Sequence, residues 1–391
     1  MIRRSSAILA VVASVSLLVT ACGSSAKSDG TAAPAASTPA STSAAAPASS
    51  GGSPASSAAP GSASGSAEGS AAPSGSFAVA YMVPGSLGDL GFFDSGEAGI
   101  KRAASDLGAT TKTIEGGDNN TQAWVNDLQN LAKTGTYNVI VTGGDQVSDQ
   151  LTQVAKQFPK QKFVMFDAEV PGDNIASITF RQNDVSFLAG VLAALVSEDT
   201  ADYPMSGGGK NVGIVGGQDI PVINDFIVGF EAGAKAVDPS ITIQKSYVGS
   251  WTDSNTGYNQ AASMYAKGAD VIFAAAGGSG LGVLKAAKDK KKYAIGVDSD
   301  QNALYPGFIL ASALKNVNNA VFDLAKKDKE GQLKTGQTYV YGIANNGVEL
   351  KLDTDLVKQA TADKLKGYSD KVAKGEIDVP CVDPFCAKAT I

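Results

Sequence analysis

Between residues 77 and 297 the chain carries six short runs that are apolar at consecutive, not alternate, positions: 77–83, 138–141, 162–166, 212–215, 270–273 and 293–297. A strand that is apolar on both faces is covered on both faces, as in a parallel sheet layered between helices. Gly, Asp or Pro follows each run within a few residues and marks a turn. Between the runs lie stretches with apolar positions at helical spacing, over 95–107, 122–133, 147–157, 226–237, 259–267 and 282–290. Alternating strands and helices predict right-handed βαβ units. There are enough of them for two doubly wound sheets.

The first 76 residues follow another pattern. Arg3 and Arg4 precede an apolar run over 7–19, broken only by Ser14 and Ser16, that ends in Val19-Thr20-Ala21-Cys22. The run is too short to span a membrane comfortably and has the length of an export-signal core. Small residues directly before a Cys resemble a bacterial lipobox, which implies cleavage before Cys22 and acylation of its thiol. An ordinary signal with an incidental Cys is the alternative. From Gly23 to Ser76 the chain is almost wholly Ser, Ala, Pro, Gly and Thr, and only Lys27, Asp29 and Glu68 are charged. Such a segment cannot bury enough apolar surface to offset the entropy of ordering. It reads as a disordered tether with a reach of roughly 40 Å. Residues 1–21 are thus read as a signal, 22–76 as a lipidated Cys plus tether, and 77–391 as a folded body. At 315 residues that body suits two lobes better than one.

Composition narrows the chemistry. The 391 residues include no His, so no Ser-His-Asp triad, Cys-His dyad or His-built metal site exists. The formal net charge is -6, and cleavage before Cys22 would remove Arg3 and Arg4 and make it -8, which argues against a nucleic-acid partner. Residues 277–282, Gly-Gly-Ser-Gly-Leu-Gly, fit neither GxGxxG nor GxSxG spacing. Asp253-Ser254-Asn255-Thr256-Gly257 and Asp298-Ser299-Asp300-Gln301-Asn302 start like calcium loops but lack the later Gly and Glu, so they read as polar turns. Neither a catalytic set nor a cofactor or metal site is expected.

In a doubly wound sheet, ligands sit beyond the carboxyl ends of the strands. The segments there are 84–94, 143–145, 167–169, 216–219, 249–253, 277–280 and 298–301. They are rich in Gly, Asp, Gln, Ser and aromatics, an inventory for hydrogen bonding and stacking. Asp167 reads as ligand-facing with Glu169 solvated. Asp94-Ser95-Gly96-Glu97 has the spacing of a helix capping box, so Asp94 is either a ligand group or a cap. Phe92 and Phe93 are either cleft or core.

Several strings together resemble the basic membrane protein (PnrA-like) family, the substrate-binding lipoproteins of ABC importers. They are Gly88-Asp89-Leu90-Gly91-Phe92-Phe93-Asp94, Ser186-Phe187-Leu188-Ala189-Gly190 and Phe226-Ile227-Val228-Gly229-Phe230-Glu231-Ala232-Gly233. Gly249-Ser250-Trp251-Thr252-Asp253, Ala276-Gly277-Gly278-Ser279-Gly280-Leu281-Gly282-Val283, Gly296-Val297-Asp298-Ser299-Asp300-Gln301 and Ser312-Ala313-Leu314-Lys315 continue the series. The first loop departs from the family pattern Asp-Lys-Ser-Phe-Asn, with Phe93 where the family carries Asn, which leaves the base preference open.

The resemblance implies an α/β, type I periplasmic-binding-protein fold: two Rossmann-like lobes with parallel sheets, three crossovers and a ligand between them. Lobe one is expected over about 77–182 and 302–335, lobe two over about 183–301 and 336–391. It implies a non-enzymatic receptor for a nucleoside, purine favoured, that serves an ABC permease as a monomer. A sugar-binding or sensory protein on the same fold is the alternative. By resemblance the base lies between Phe92 and a lobe-two aromatic, either Trp251, after a strand ending at Tyr247-Val248, or Phe226. Asp167 would accept from base N–H groups and Asp298 from ribose hydroxyls. Lys315, after an apolar segment over 308–314, would reach the ribose or Asp298. Gly278 would offer backbone, and Asp89, Phe93 and Asp94 complete the candidate set. If Cys22 is acylated, Cys381 and Cys386 are the remaining thiols of an exported chain, and a small disulfide loop is expected, free thiols being the alternative.

The anchor reading has a direct check. Cys22→Ser should release the protein into the medium or leave the precursor unprocessed, and unchanged membrane retention with normal processing refutes it.

Overall fold

The computed structural model describes residues 76–389, so the expected export signal, Cys22 and nearly all of the expected tether lie outside the described residues. The body opens with β1 (Ala78–Val83), α1 (Phe92–Leu107), β2 (Thr110–Glu115), α2 (Thr121–Lys133), β3 (Val139–Gly143), α3 (Ser148–Gln157), β4 (Lys162–Phe166) and β5 (Ile175–Phe180). It continues through α4 (Gln182–Glu198), β6 (Asn211–Gly216), α5 (Pro221–Val237), β7 (Thr242–Tyr247), α6 (Ser254–Ala266), β8 (Val271–Ala275), α7 (Gly280–Lys290), β9 (Tyr293–Asp298) and β10 (Ile309–Lys315). It closes with α8 (Val317–Lys329), β11 (Gln337–Tyr341), β12 (Val348–Leu352) and α9 (Gln359–Ala373). Two six-stranded sheets result, ordered β11-β5-β4-β3-β1-β2 and β12-β10-β9-β8-β6-β7. Neighbours are parallel throughout except β12, which is antiparallel to β10. Each sheet is the centre of one lobe of a type I periplasmic-binding-protein fold.

Burial explains which strands are apolar runs. β1, β3, β5 and β8 are buried at every position, whereas the edge strands β2 and β7 carry Thr, Lys, Gln and Glu and have no fully buried position. α4 is buried at 15 of its 17 positions, because it lies between the second sheet, α5 and α9. A helix covered on all sides has no polar face and therefore no amphipathic signature.

The chain passes between the lobes three times, at Arg181, at Asn316 and over 342–347. The passages lie side by side. Arg181 N donates to Tyr341 O (2.8 Å), and Asn316 donates through N to Gly347 O (2.8 Å) and through Nδ2 to Asn346 O (3.0 Å). The lobe division expected from the sequence is corrected at the second and third passages. β10 stays in the second sheet, paired with β9 from Ala311↔Ile295 to Leu314↔Asp298, so the chain leaves lobe two after Lys315 and not near residue 302. β11 pairs with β5 in the first sheet, so the return falls over 342–347 and not at 336.

α4 and α5 touch through backbone. A Cβ on Gly190 would come within 2.1 Å of Phe230 O, one on Gly229 within 2.3 Å of Asn183 O, and one on Gly233 within 1.9 Å of Phe187 O. The C-terminal segment then covers the first passage. Asn183 Nδ2 donates to Val379 O and Pro380 O (both 3.2 Å), Arg181 Nη1 donates to Ala387 O (3.2 Å), and Val382 N donates to Asp225 Oδ1 (2.8 Å). Cys381 and Cys386 are joined by a disulfide in this loop. Asp225 also accepts from Gln182 Nε2 (2.7 Å) and Asn183 N (3.2 Å), so one fully buried carboxylate ties α5, the first passage and the C-terminal loop together. Among the described residues no helix is long and apolar enough to cross a membrane.

Two predictions follow from this packing. Gly233→Ala forces a methyl into a backbone carbonyl and should destabilise the body by about 1–3 kcal/mol or more in urea unfolding. Gly367→Ala, in α9 with nothing within 4 Å of the new methyl, should stabilise it by roughly 0.5–1 kcal/mol; equal effects at both sites would refute the close-contact account. Burial pushes the Asp225 carboxyl up to about 7 against its three hydrogen bonds. A folded-state value above the unfolded one gives stability that is present at low pH and lost as pH rises through 7. The melting temperature of Asp225→Asn relative to the wild type should therefore rise from pH 5.5 to pH 8.5, and a pH-independent difference refutes the assignment.

Candidate functional site

Both sheets run in the order 2-1-3-4-5 of doubly wound folds, with the switch between β1 and β3 in one and between β6 and β8 in the other. A crevice opens beyond the carboxyl ends of strands at such a switch. Here the two crevices form one cavity of about 510 Å³, within the range of small-molecule sites. Asp89, Phe92, Phe93 and Asp167 line it from lobe one, and Phe226, Trp251, Gly278, Asp298 and Lys315 from lobe two. Nine of the ten ligand candidates read from the sequence meet there.

Asp94 is the exception. α1 starts at Phe92, three residues earlier than the helical pattern suggests, so Asp94 lies inside the first turn and is not its cap. Its carboxylate turns back to Gly88 N (2.8 Å) and Leu90 N (3.0 Å), and it borders a separate hollow with Ser299 and Asn318. Glu97, the other half of the expected capping box, accepts from Thr113 Oγ1 (2.6 Å). Asp89 holds the helix start: its Oδ2 accepts from Phe93 N (2.8 Å), and its Oδ1 from Gly91 N (3.0 Å) and Asp94 N (3.2 Å). Burial raises the Asp89 carboxyl above its ordinary value, and those three amides oppose the shift.

The aromatic groups are held from behind. Phe92 packs its ring 5.2 Å from those of Phe93 and Phe166. Trp251 lies close against Gly217, where a Cβ would stand 2.2 Å from the indole Cζ3. Its loop is fastened by Ser279, whose N donates to Trp251 O and whose Oγ donates to Ser250 O (both 2.8 Å). A Cβ on Gly278 would come 3.1 Å from Trp251 O, a tight approach. Phe226 is 2% exposed and packs on Phe273, which makes it core that also forms the cavity floor.

Lys315 pairs with Asp167, Nζ to Oδ1 at 2.7 Å, and not with Asp298, one of the two partners expected from the sequence. Its ammonium is buried among the rings of Phe226, Phe92 and Phe180, at 5.0, 5.5 and 5.7 Å from the centroids. Asp167 ends up opposite Lys315 because the two sheets face each other there: it follows β4, and Lys315 ends β10. Burial raises the Asp167 carboxyl and the Lys315 charge opposes this. Asp298 is 8% exposed, its carboxylate accepts no hydrogen bond from another described residue, and burial pushes it up to about 7. Lys315 pulls it down, while Asp89 and Asp167 add to the rise. Asp167 and Asp298 both have positive φ, 67° and 65°, which is costly for non-glycine residues and gathers at functional sites.

Asp118, Asn119, Asp145, Gln146 and Gln218 also line the cavity and were not selected from the sequence. Asp118 and Asn119 follow β2, whose polar edge pattern hides the strand. Asp145 and Gln218 stood in recognised loops without a feature to single them out. Among the described residues no group of three or more Cys, Asp or Glu is placed to hold a metal ion. Asp253 caps α6 through Thr256 N (2.9 Å) and Thr256 Oγ1 (2.6 Å).

The chain is similar to known binding proteins over this whole body. The family profile described as "ABC transporter substrate-binding protein PnrA-like" matches residues 77–383. Basic membrane protein D of Borreliella burgdorferi is 34% identical over 312 residues, 77% of this chain and 87% of that one. The ABC transporter nucleoside-binding protein BmpA of Lactococcus lactis is 34% identical over 271 residues, 64% and 73% of the two chains. A solute-binding protein of an ABC transporter system from Aeropyrum pernix shares the fold, with a TM-score of 0.69 at 24% identity over 78% of this chain and 94% of that one. With this fold, this cleft and a profile match across nearly the entire body, the chain belongs to the PnrA-like family of ABC transporter substrate-binding proteins, which bind solutes and are not enzymes.

Proposed function

We propose that this protein is the lipid-anchored, extracytoplasmic receptor of an ABC importer and that it captures a nucleoside, with purines favoured, as a single chain that delivers it to the permease. The carrying observation is Asp298, a buried carboxylate without a protein donor that borders the same cavity as aromatic rings of both lobes. A nucleoside meets both needs. Its flat base stacks between Phe92 or Phe93 and Trp251, at about 1–3 kcal/mol per ring, and its paired ribose hydroxyls donate to Asp298. Asp167 has one oxygen on Lys315 and keeps the other for a base N–H. Phe93 offers a ring where the family pattern has an amide, which shifts recognition towards stacking. The nucleoside-binding relative in Lactococcus lactis supports the reading. Ligand contacts from both lobes favour the closed cleft.

Isothermal titration with nucleosides, free bases and sugars tests this. Nucleosides should bind, free bases much more weakly, and Asp298→Ala should lose at least about tenfold in affinity. Hydroxyl donors favour the ionised carboxylate, so with Asp298 near 7 binding should release protons at pH 7. Affinity should fall, by at most about tenfold per unit, as pH drops below 7, and Asp298→Asn should flatten that profile. Heat with sugars but with no nucleoside, or normal nucleoside binding by Asp298→Ala, overturns the assignment.

A further inference from the structure

We infer that the cleft is built to refuse phosphorylated ligands, and that Asp89 is a specificity residue that fills, with its own carboxylate, the position a ligand phosphate would take. The inference rests on the nucleoside reading for its choice of probes.

In a doubly wound sheet the helix that follows the first strand offers its N-terminal amides to a phosphate. Here α1 follows β1 and its first turn faces the cleft, but the anion position is taken. The Asp89 carboxylate receives the amides of Gly91, Phe93 and Asp94 at 2.8–3.2 Å, the hydrogen bonds that a phosphate would receive. Two further loop amides, of Gly88 and Leu90, go to Asp94.

Three of the other helix starts around the cavity are partly closed to an anion. α5 begins with Pro221, which has no N–H to give. α2 is capped by Asn120, whose Oδ1 accepts from Ala123 N. The short helical turn before α3 begins with the carboxylate of Asp145.

Charge points the same way. The cavity lining holds five carboxylates, on Asp89, Asp118, Asp145, Asp167 and Asp298, and one cation, Lys315. That ammonium is already on Asp167 at 2.7 Å. A ligand phosphate would enter a field of like charge with its natural cradle filled. Juxtaposed like charges at an interface are strongly unfavourable.

The test compares each nucleoside with its 5′-monophosphate by isothermal titration. In the wild type the monophosphate should bind at least about 100-fold more weakly. Raising NaCl from roughly 50 to 500 mM should narrow that ratio by screening the repulsion. Asp89→Asn should narrow it by roughly fivefold or more, while Asp89→Glu should keep it wide, since only the first removes the charge. A wild type that binds the monophosphate within tenfold of the nucleoside overturns the inference, and so does a ratio indifferent to both salt and Asp89→Asn. Should Asp89→Asn fail to fold, the salt series on the wild type decides. Should no nucleoside bind, the nucleoside reading fails separately, and the charge rule is read from ribose against ribose 5-phosphate and from inorganic phosphate. Preference for either phosphate over ribose then overturns it.

Discussion

The lobes of this protein meet around one buried ion pair, Asp167 with Lys315. Each partner is nearly inaccessible, at 6% and 2% exposure, and each comes from a different sheet. Taking both charges out of water is expensive, and only close geometry offsets it; removing one partner from such a pair typically costs about 3–5 kcal/mol. The pair therefore fixes the end of β4 against the end of β10, one residue before the chain passes between lobes at Asn316. The aromatic rings around Lys315 belong to both lobes as well, so the cleft floor is one packed unit. Asp298 is left as the carboxylate that Lys315 does not bond, and burial raises its protonation range against the pull of the Lys315 charge.

The cleft has an internal symmetry that its chemistry uses unequally. The two sheets share one strand order, and β4 and β9 hold the same place in it. Each is followed or ended by an Asp with positive φ at the cleft. One Asp holds the structure together and the other is held in reserve. The passages between lobes are gathered side by side by the bonds among Arg181, Asn316 and residues 341–347, and the ion pair lies next to the second of them.

Much of this was legible in the sequence, for physical reasons. Strands buried on both faces must be apolar throughout, so β1, β3, β4, β6, β8 and β9 stood out as runs. β2 and β7 did not, because an edge strand tolerates Thr, Lys and Gln. β5 is as buried as its neighbours, and the reading missed it. α4 lacked the helical pattern since no face of it meets water. Among the site residues, the position of Asp298 after an apolar run pointed to the cleft. No spacing rule pairs Lys315 with Asp167 rather than Asp298, because the choice is made by two sheets whose contact lies 148 positions apart in the chain. The lobe boundary was misplaced for a related cause. β10 continues the apolar series of its own sheet, and the sequence alone does not mark a passage that begins one residue after it. Asp94 illustrates the reverse case, in which a familiar spacing was present but the helix began three residues too early for it to apply.

The exchange of last strands between the lobes bears on how the chain becomes a protein. The first sheet is finished by β11, residues made after all but one strand of the second sheet; the second is finished by β12, which arrives only after that return. A chain growing from its N-terminus holds two sheets that each lack a last strand until Tyr341 completes the first, and one such sheet until Leu352. Pairings this distant in sequence close large loops and form slowly, and open edges are the sites at which unfinished chains join one another. Neither lobe can be excised as a module, and a truncation near the C-terminus removes the final strand of a half that was begun some 140 residues earlier.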